Sequence, residues 1–180
     1  MTTPTINDQL VELGVLGDQQ NKSIQQTGAT FVDKFLQSFD TETDDNTTVL
    51  VLHYLTDIQV RDYALGLLDK YDTKKTLDAL NYLLDKAPTD TAFINAPACL
   101  LATVLFERGD TANGMITLSN AQQHYALGML LRRVMQAGWP ASSFATMREQ
   151  LHPKVTAGIF GDDYEVPEAG DPADAGIDGA

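Results

Sequence analysis

The stretch APACLLATVLFERGDTANGMITLSNAQQHYALGMLLRRVMQAGWP, residues 96–140, decides the fold of this chain. It divides into three apolar segments separated by turns that Gly109 and Gly138 mark. Within residues 98–106 every residue except Thr103 is apolar, so a helix there has no polar face and has to be buried on all sides. Only other helices packed around it can supply that cover. The stretch therefore predicts an all-α domain.

The rest of the chain extends this prediction to about eight or nine helices, because apolar residues recur at helical spacing on both sides of the central stretch. Polar residues 21–28 are interpreted as a loop or a frayed first turn of the next helix, and acid-rich residues 41–48 as a loop. Residues 49–55, VLVLHYL, contain β-branched residues typical of a strand, but a lone strand would leave its backbone groups unpaired, so we predict a helix. Pro140 is expected to open the last helix and Pro153 to end it.

The sequence around Gly109 resembles one tetratricopeptide-type helix pair. Gly109 and Gly138 lie 29 positions apart, however, whereas that repeat has a period of about 34 residues. We therefore predict tetratricopeptide-like helical hairpins rather than a repeat array.

The charge of the chain is unevenly distributed. The formal net charge is −13, and residues 161–180 hold seven acids and no base. Their Gly, Pro, Ala and acid content cannot bury enough apolar surface to offset the entropy of ordering. We predict a helical domain over residues 1–160, with a short, loosely attached N-terminal arm at residues 1–28, and a disordered acidic tail over residues 161–180.

Composition also excludes several protein classes. The only cysteine, Cys99, rules out an internal disulfide and favours a reduced, cytoplasmic setting. The N-terminus lacks the pattern of a signal peptide, and no uncharged apolar run approaches the ~20 residues that span a bilayer, so we expect a soluble protein without membrane contact. Without a basic patch, direct binding to nucleic acid is not expected.

Catalytic and metal-binding patterns are not found in the sequence. His53, His124 and His152 are far apart and fit no metal-ligand spacing, and no glycine-rich phosphate loop is present. His53 is interpreted as a partly buried side chain with a hydrogen-bond partner, and Cys99 as a small buried hydrophobe. We expect no catalytic residue, no metal and no cofactor.

Two places remain as candidate interaction sites. Arg61 and Asp62 lie in an otherwise apolar helix, where the arginine either bridges to Asp57 or another carboxylate and fixes the helix register, or binds a ligand. The second place is Trp139, close in sequence to Arg132 and Arg133. It either anchors a protein partner or packs as a plug between two helices.

Three stretches together resemble a known family: VRDYALGLLD (residues 60–69), NAPACLLATVLFERGDTANGMITLSNA (residues 95–121) and HYALGMLLRRVMQAGWPASSF (residues 124–144). They resemble the helical C-terminal half of the actinobacterial domain-of-unknown-function family four-one-nine-two, over residues 56–151 and more loosely from residue 29. Gly128 stands where that family has alanine. The resemblance implies an actinobacterium, one of its plasmids or a phage as the source. It carries no established activity, so it assigns no catalytic residue.

We therefore expect a non-catalytic helical protein-interaction or accessory protein, with its association into a homo-oligomer left open. An alternative is an acidic inhibitor, encoded by a phage or plasmid, that presents its acids to a host nucleic-acid-binding protein. A second alternative is an enzyme whose site is assembled from separate helices. A pocket that gathers His53, Arg61 and Asp62 would favour the enzyme.

Overall fold

Nine α-helices and one short 3₁₀ turn build the part of the chain that the computed structural model describes, residues 4–164. No strand occurs within those residues, so the predicted all-α class and the predicted helix number are confirmed. The helices are α1 (Ile6–Leu13), α2 (Lys22–Ser38), α3 (Asp45–Tyr54), α4 (Ile58–Gly66), α5 (Thr73–Lys86), α6 (Asn95–Glu107), α7 (Thr111–Leu118), α8 (Ala126–Gln136) and α9 (Ala141–Phe160); the 3₁₀ turn (Ala92–Ile94) precedes α6.

Helix α6 is surrounded by other helices, as its sequence predicts. All of its residues except Leu105 and Glu107 are buried. One face, with Leu100 and Val104, packs into a large apolar cluster built mainly from α1 to α5. The opposite face, with Ala98 and Ala102, packs into a second cluster built from α7, α8 and the start of α9. Helix α6 is thus the shared wall of two cores.

Aspartate side chains begin four of the helices. The carboxylates of Asp44, Asp57, Asp72 and Asp110 each accept a hydrogen bond from a backbone N–H in the first turn of α3, α4, α5 and α7, respectively. Each bond satisfies a donor that has no partner within its helix, and such caps are typically worth about 1 kcal/mol. Part of the acidity of the chain is therefore structural.

Glycine turns connect the helices that follow α6. Gly109 has a positive φ of 84°, and the amide of Asp110 donates back to the carbonyl of Leu105 at 2.9 Å. Gly138 repeats this geometry with a φ of 66°, and the amide of Trp139 donates to a carbonyl of α8. A left-handed residue at this position favours glycine and closes the end of a helix. Helices α6 and α7 accordingly form a helical hairpin.

The prediction that Pro153 ends the last helix is wrong. Helix α9 continues through Pro153 to Phe160, although proline removes one hydrogen bond from the helix interior at a cost of ~3 kcal/mol. Burial beyond the proline offsets that cost, since Thr156 and Ile159 are buried against the rest of the domain. The side chain of Gln26 in α2 also donates to the carbonyl of Ile159 at 3.0 Å.

Two predicted loops are shorter than expected. Helix α2 already begins at Lys22, after Asn21 accepts a hydrogen bond from the amide of Ile24, so polar residues 22–28 are helical rather than a loop. Helix α3 begins at Asp45, inside the acid-rich segment, and runs through residues 49–54. The helix predicted for VLVLHYL is therefore confirmed, and it starts earlier than its apolar residues indicate.

The ends of the chain are described in part. Within the predicted N-terminal arm, Leu10 of α1 is buried in the larger core cluster, so this part of the arm packs on the domain. Of the predicted acidic tail, residues 161–164 are described and residues 165–180 lie outside the described residues. The domain bounds stay predictions. None of the helices in residues 4–164 combines the length and the apolar character that crossing a membrane requires.

A close approach between α4 and α9 generates a first prediction. A Cβ atom at Gly66, the last residue of α4, would overlap the imidazole of His152 in α9, whereas at Gly158 the nearest atom of a neighbouring residue lies 4.0 Å away. We expect Gly66→Ala to destabilise the fold by about 1–3 kcal/mol through overpacking. The control Gly158→Ala should stabilise it by about 0.5–1 kcal/mol, because glycine weakens a helix interior. Urea denaturation measures both, and equal stability of Gly66→Ala and the wild type would contradict the packing.

Candidate functional site

A groove of about 370 Å³ is lined by residues of α4, α8 and α9. Its volume falls within the range of about 300–1,000 Å³ that is typical of ligand sites. Most of its lining is apolar: Leu65, Leu127, Leu130, Met147, Leu151 and Val155. Polar side chains are few, as in most binding sites of this size.

Two leucines of the groove are exposed to solvent. Leu130 of α8 is 44% exposed and Leu151 of α9 is 48% exposed. Leu130 lies at helical spacing from the buried Leu127, and Leu151 from the buried Phe144, yet the structure leaves both half-exposed. Nothing in residues 4–164 covers them further, so the groove presents apolar surface to the solvent from two helices.

Arg61 adds a buried cation to the lining of the groove. Its Nε and Nη2 atoms donate to Oδ1 of Asp62 at 2.8 and 2.6 Å, and its Nη1 atom donates to the Tyr125 hydroxyl at 3.1 Å. The guanidinium also lies over the Tyr125 ring, 5.4 Å from the centroid. Burial raises the pKa of Tyr125, while the neighbouring arginine opposes this shift. The phenol therefore stays neutral beside the guanidinium.

Arg61 has more hydrogen-bond donors than its neighbours use. A guanidinium carries five N–H groups, and three of those of Arg61 are used. The other two, one on each terminal nitrogen, have no acceptor among residues 4–164. The residue is only 7% exposed, so these donors are largely shielded from water. Such donors in the wall of a groove favour a ligand that brings an acceptor.

Arg148, the second arginine of the lining, is used differently. Its Nε and Nη2 atoms donate to the two carboxylate oxygens of Glu107 at 2.9 and 3.0 Å. Its Nη1 atom donates to the Leu65 carbonyl and to the carboxylate of Asp69. Four of its five N–H groups are thus occupied, and the residue is 3% exposed. Arg148 fastens α9 to α4 and α6 and shapes the groove.

His152 completes the polar part of the groove. Its Nδ1 atom is buried next to Gly66 and has no hydrogen-bond partner in residues 4–164. Burial is the largest cause that lowers the pKa of His152 below 6.5; Arg148 acts in the same direction and Asp69 opposes it. The imidazole is therefore mostly neutral at pH 7.

The structure separates the predicted site residues. Arg61 and Asp62 lie in the groove, whereas Arg132 and Arg133 line a separate, shallow depression on α8. Arg132 donates to the carbonyls of Leu118 and Ala121 and so closes the end of α7. Trp139 is 49% exposed, so it is not the enclosed plug of the packing alternative, and its role as a partner anchor stays a prediction.

The sequence also predicts structural roles for Asp57, His53 and Cys99. Asp57 is buried, but it caps α4 and accepts from Gln25 rather than pairing with Arg61, so of the two carboxylate options for Arg61 the structure has the other one, Asp62. His53 is partly buried and its Nδ1 lies 2.9 Å from the carbonyl of Gly14, as expected of a side chain with a hydrogen-bond partner. Cys99 is buried, and burial raises the pKa of its thiol to about 12.

No group of three or more His, Cys, Asp or Glu side chains within the described range is arranged to hold a metal ion. The model of the family described as Domain of unknown function (DUF4192) matches residues 5–142 of the chain. The chain belongs to the DUF4192 family. Comparison of the chain with curated proteins and with solved structures gives no match.

The DUF4192 match begins at residue 5, before the resemblance that the motifs indicate from residue 56 and more loosely from residue 29, and it includes α1 to α8. It ends at residue 142, so nearly all of α9 lies beyond it. Six of the groove residues, Arg61 and Asp62 among them, fall inside the DUF4192 match, while the seven from α9, His152 and Lys154 among them, fall outside it. The family assignment therefore leaves the role of the groove open.

Sequence reasoning missed three important residues of the groove. Arg148 and His152 lie beyond the three quoted stretches, within the last five residues before Pro153, which is expected to end the helix. Leu130 matches an inward position of α8 by its spacing. One signal could have found the two residues of α9: at helical spacing Arg148, Leu151, His152 and Val155 lie on one face of that helix.

The hydrogen bonds by which Arg148 joins α9 to α4 and α6 generate a second prediction. Replacing Arg148 by methionine leaves Glu107 and Asp69 without their cation. We expect a loss of about 3 kcal/mol, the lower end for breaking a buried ion pair, because the Glu107 side chain is only 16% exposed whereas the Asp69 side chain is 55% exposed and screened by water. The matched control is Lys74→Met, which breaks the exposed pair with Asp78 and should change stability by less than about 1 kcal/mol. Guanidinium denaturation compares the two. Similar losses of stability in both variants would contradict the role of Arg148 in joining α9 to α4 and α6.

His152 generates a third prediction, on pH. Because its folded-state pKa is depressed, the unfolded state binds the proton more readily as the pH falls below 6.5. The stability that the neutral imidazole contributes is present above this pH and is lost on acidification. We expect the stability of His152→Gln to fall less steeply between pH 7 and pH 5 than that of the wild type. The exposed His124→Gln serves as control, and parallel pH profiles for wild type and His152→Gln would contradict the assignment.

Proposed function

We propose that this DUF4192 protein is a non-catalytic accessory protein that binds a partner protein through the groove. The observation that carries the proposal is the exposure of Leu130 and Leu151 beside the apolar lining of the groove. An amphipathic helix is the partner element that suits such a groove, because its apolar face replaces the missing cover. The source in an actinobacterium, plasmid or phage, and the cytoplasmic setting, belong to the same proposal.

The enzyme alternative has less support from the groove. Arg61 and Asp62 lie beside His152 and not beside His53, the histidine that would favour this alternative. His152 has no carboxylate bonded to its ring within the described residues, and the groove lining contains no serine, threonine or cysteine. A histidine base needs a nucleophile or a substrate proton within reach and is commonly oriented by a third group. The groove therefore favours binding.

The inhibitor alternative depends on the arrangement of the acids. Most of the acids in residues 161–180 lie outside the described residues, and several acids of the domain are helix caps. Nothing in the groove supports mimicry of a nucleic acid. The alternative stays a prediction that the following experiment distinguishes.

The test is retention of protein from a lysate of the source cells by four immobilised forms: wild type, Leu130→Asp, Leu151→Asp and Ile116→Asp. Ile116 is 66% exposed and lies outside the groove, so its variant is the matched control. We expect one protein to be retained by wild type and Ile116→Asp and to be reduced about tenfold or more by either groove variant, because an aspartate at an apolar anchor removes its contact.

Retention that is the same in all four forms, or no retention by any form, would contradict the proposed function. Deletion of residues 161–180 should leave retention unchanged. Loss on that deletion alone would instead support the acidic inhibitor. Circular dichroism of each form verifies that the variants are folded.

A further inference from the structure

We infer that the partner segment is an acidic amphipathic helix, and that one of its carboxylates binds Arg61 in the groove. This inference rests on the proposed function and adds the chemistry of the partner. It is carried by the unused donors of Arg61, by the charge of the groove lining and by the length of the groove along α9.

The donors of Arg61 define the ligand group. Arg61 is more than nine-tenths buried and lines the groove, and each of its terminal nitrogens retains one N–H without an acceptor in residues 4–164. A carboxylate supplies two acceptor oxygens and forms parallel hydrogen bonds with both nitrogens of a guanidinium. Arg148, with four of its N–H groups occupied, is not available in this way.

The charge of the lining favours an acidic ligand. Arg61, Arg148 and Lys154 line the groove with Asp62 as its only carboxylate, although the whole chain has a net charge of −13. The charge of Arg61 is offset by Asp62, and that of Arg148 by two carboxylates behind it. Lys154 is exposed and forms no salt bridge with residues 4–164, so it is the cation of the lining that has no carboxylate of its own to pair with.

The length of the groove favours a helix over a small molecule. Its lining extends along α9 from Phe144 to Val155, which is three turns, or roughly 16 Å at 1.5 Å per residue. Three turns of a partner helix present apolar anchors at i, i+3 or i+4, and i+7 over the same distance. The exposed Leu130 and Leu151 then contact the apolar stripe of that helix, and an acidic residue beside the stripe lies against Arg61.

The experiment measures fluorescence anisotropy of three synthetic amphipathic helices of about 16 residues, a length that covers the groove. They share one leucine stripe and differ in their flanking residues, which are glutamate, glutamine or lysine. We expect the glutamate peptide to bind about tenfold or more tightly than the glutamine peptide, as charge-assisted hydrogen bonds do relative to neutral ones. The lysine peptide should bind most weakly.

Variants of the full chain assign the preference to the groove. Arg61→Lys keeps the charge but removes the fork of donors, so it should reduce the preference for glutamate over glutamine to about threefold or less. Lys154→Gln removes one positive charge from the lining and should also weaken the preference for glutamate over glutamine. Because Lys154 is exposed, we expect this variant to fold like the wild type. Lys22→Gln, exposed at the start of α2 and outside the groove, is the matched control and should leave the preference unchanged.

Each outcome separates the inference from the proposed function. If all three peptides bind equally and Leu130→Asp abolishes their binding, the groove binds helices and the inference is overturned. If Arg61→Lys does not fold, an undiminished preference in Lys154→Gln overturns it. If decanoate binds and displaces the glutamate peptide at a lower concentration than the unlabelled peptide does, the ligand is a small amphiphile and the inference is overturned. If no peptide binds and lysate retention is unaffected by Leu130→Asp, the proposed function also fails.

Discussion

The burial of α6 on all sides is the constraint on which the rest of the structure depends. A helix without a polar face requires apolar partners around its whole circumference. The chain meets this requirement by placing one group of helices on each side, so that Leu100 and Val104 belong to one core and Ala98 and Ala102 to the other. Neither core is complete without α6, and this links the two halves of the domain.

The groove lies where the two cores meet. Helix α9 crosses from one to the other, because Phe144 near its start belongs to the second core and Ile159 near its end belongs to the first. Arg148 sits between these two residues and bonds to both α4 and α6. The packing leaves an opening between α8 and α9, with Arg61 of α4 in its lining. The candidate site is therefore a product of how the cores are joined.

The sequence predicts the helices better than it predicts the site. Periodicity and glycine turns locate α6 and its neighbours, since these signals act within a few residues of each other. The sequence also indicates Arg61 and Asp62 as candidate site residues, because charged residues stand out in an otherwise apolar helix. It cannot show that Arg148 reaches across to α4 and α6, since that contact depends on tertiary packing. It misplaces the end of α9 because the local cost of Pro153 is visible in sequence, whereas the burial that outweighs it is not.

Pro153 also affects the mechanics of α9. Proline has no amide hydrogen, so the carbonyl of Glu149 does not accept the backbone hydrogen bond that a carbonyl in a helix interior normally receives from the residue four positions later. Leu151, His152 and Lys154, which line the groove, surround this interruption. A helix bends most readily where such a bond is missing. One wall of the opening therefore contains a point at which α9 bends more readily than elsewhere, so its width can change without any rearrangement of the buried helix α6.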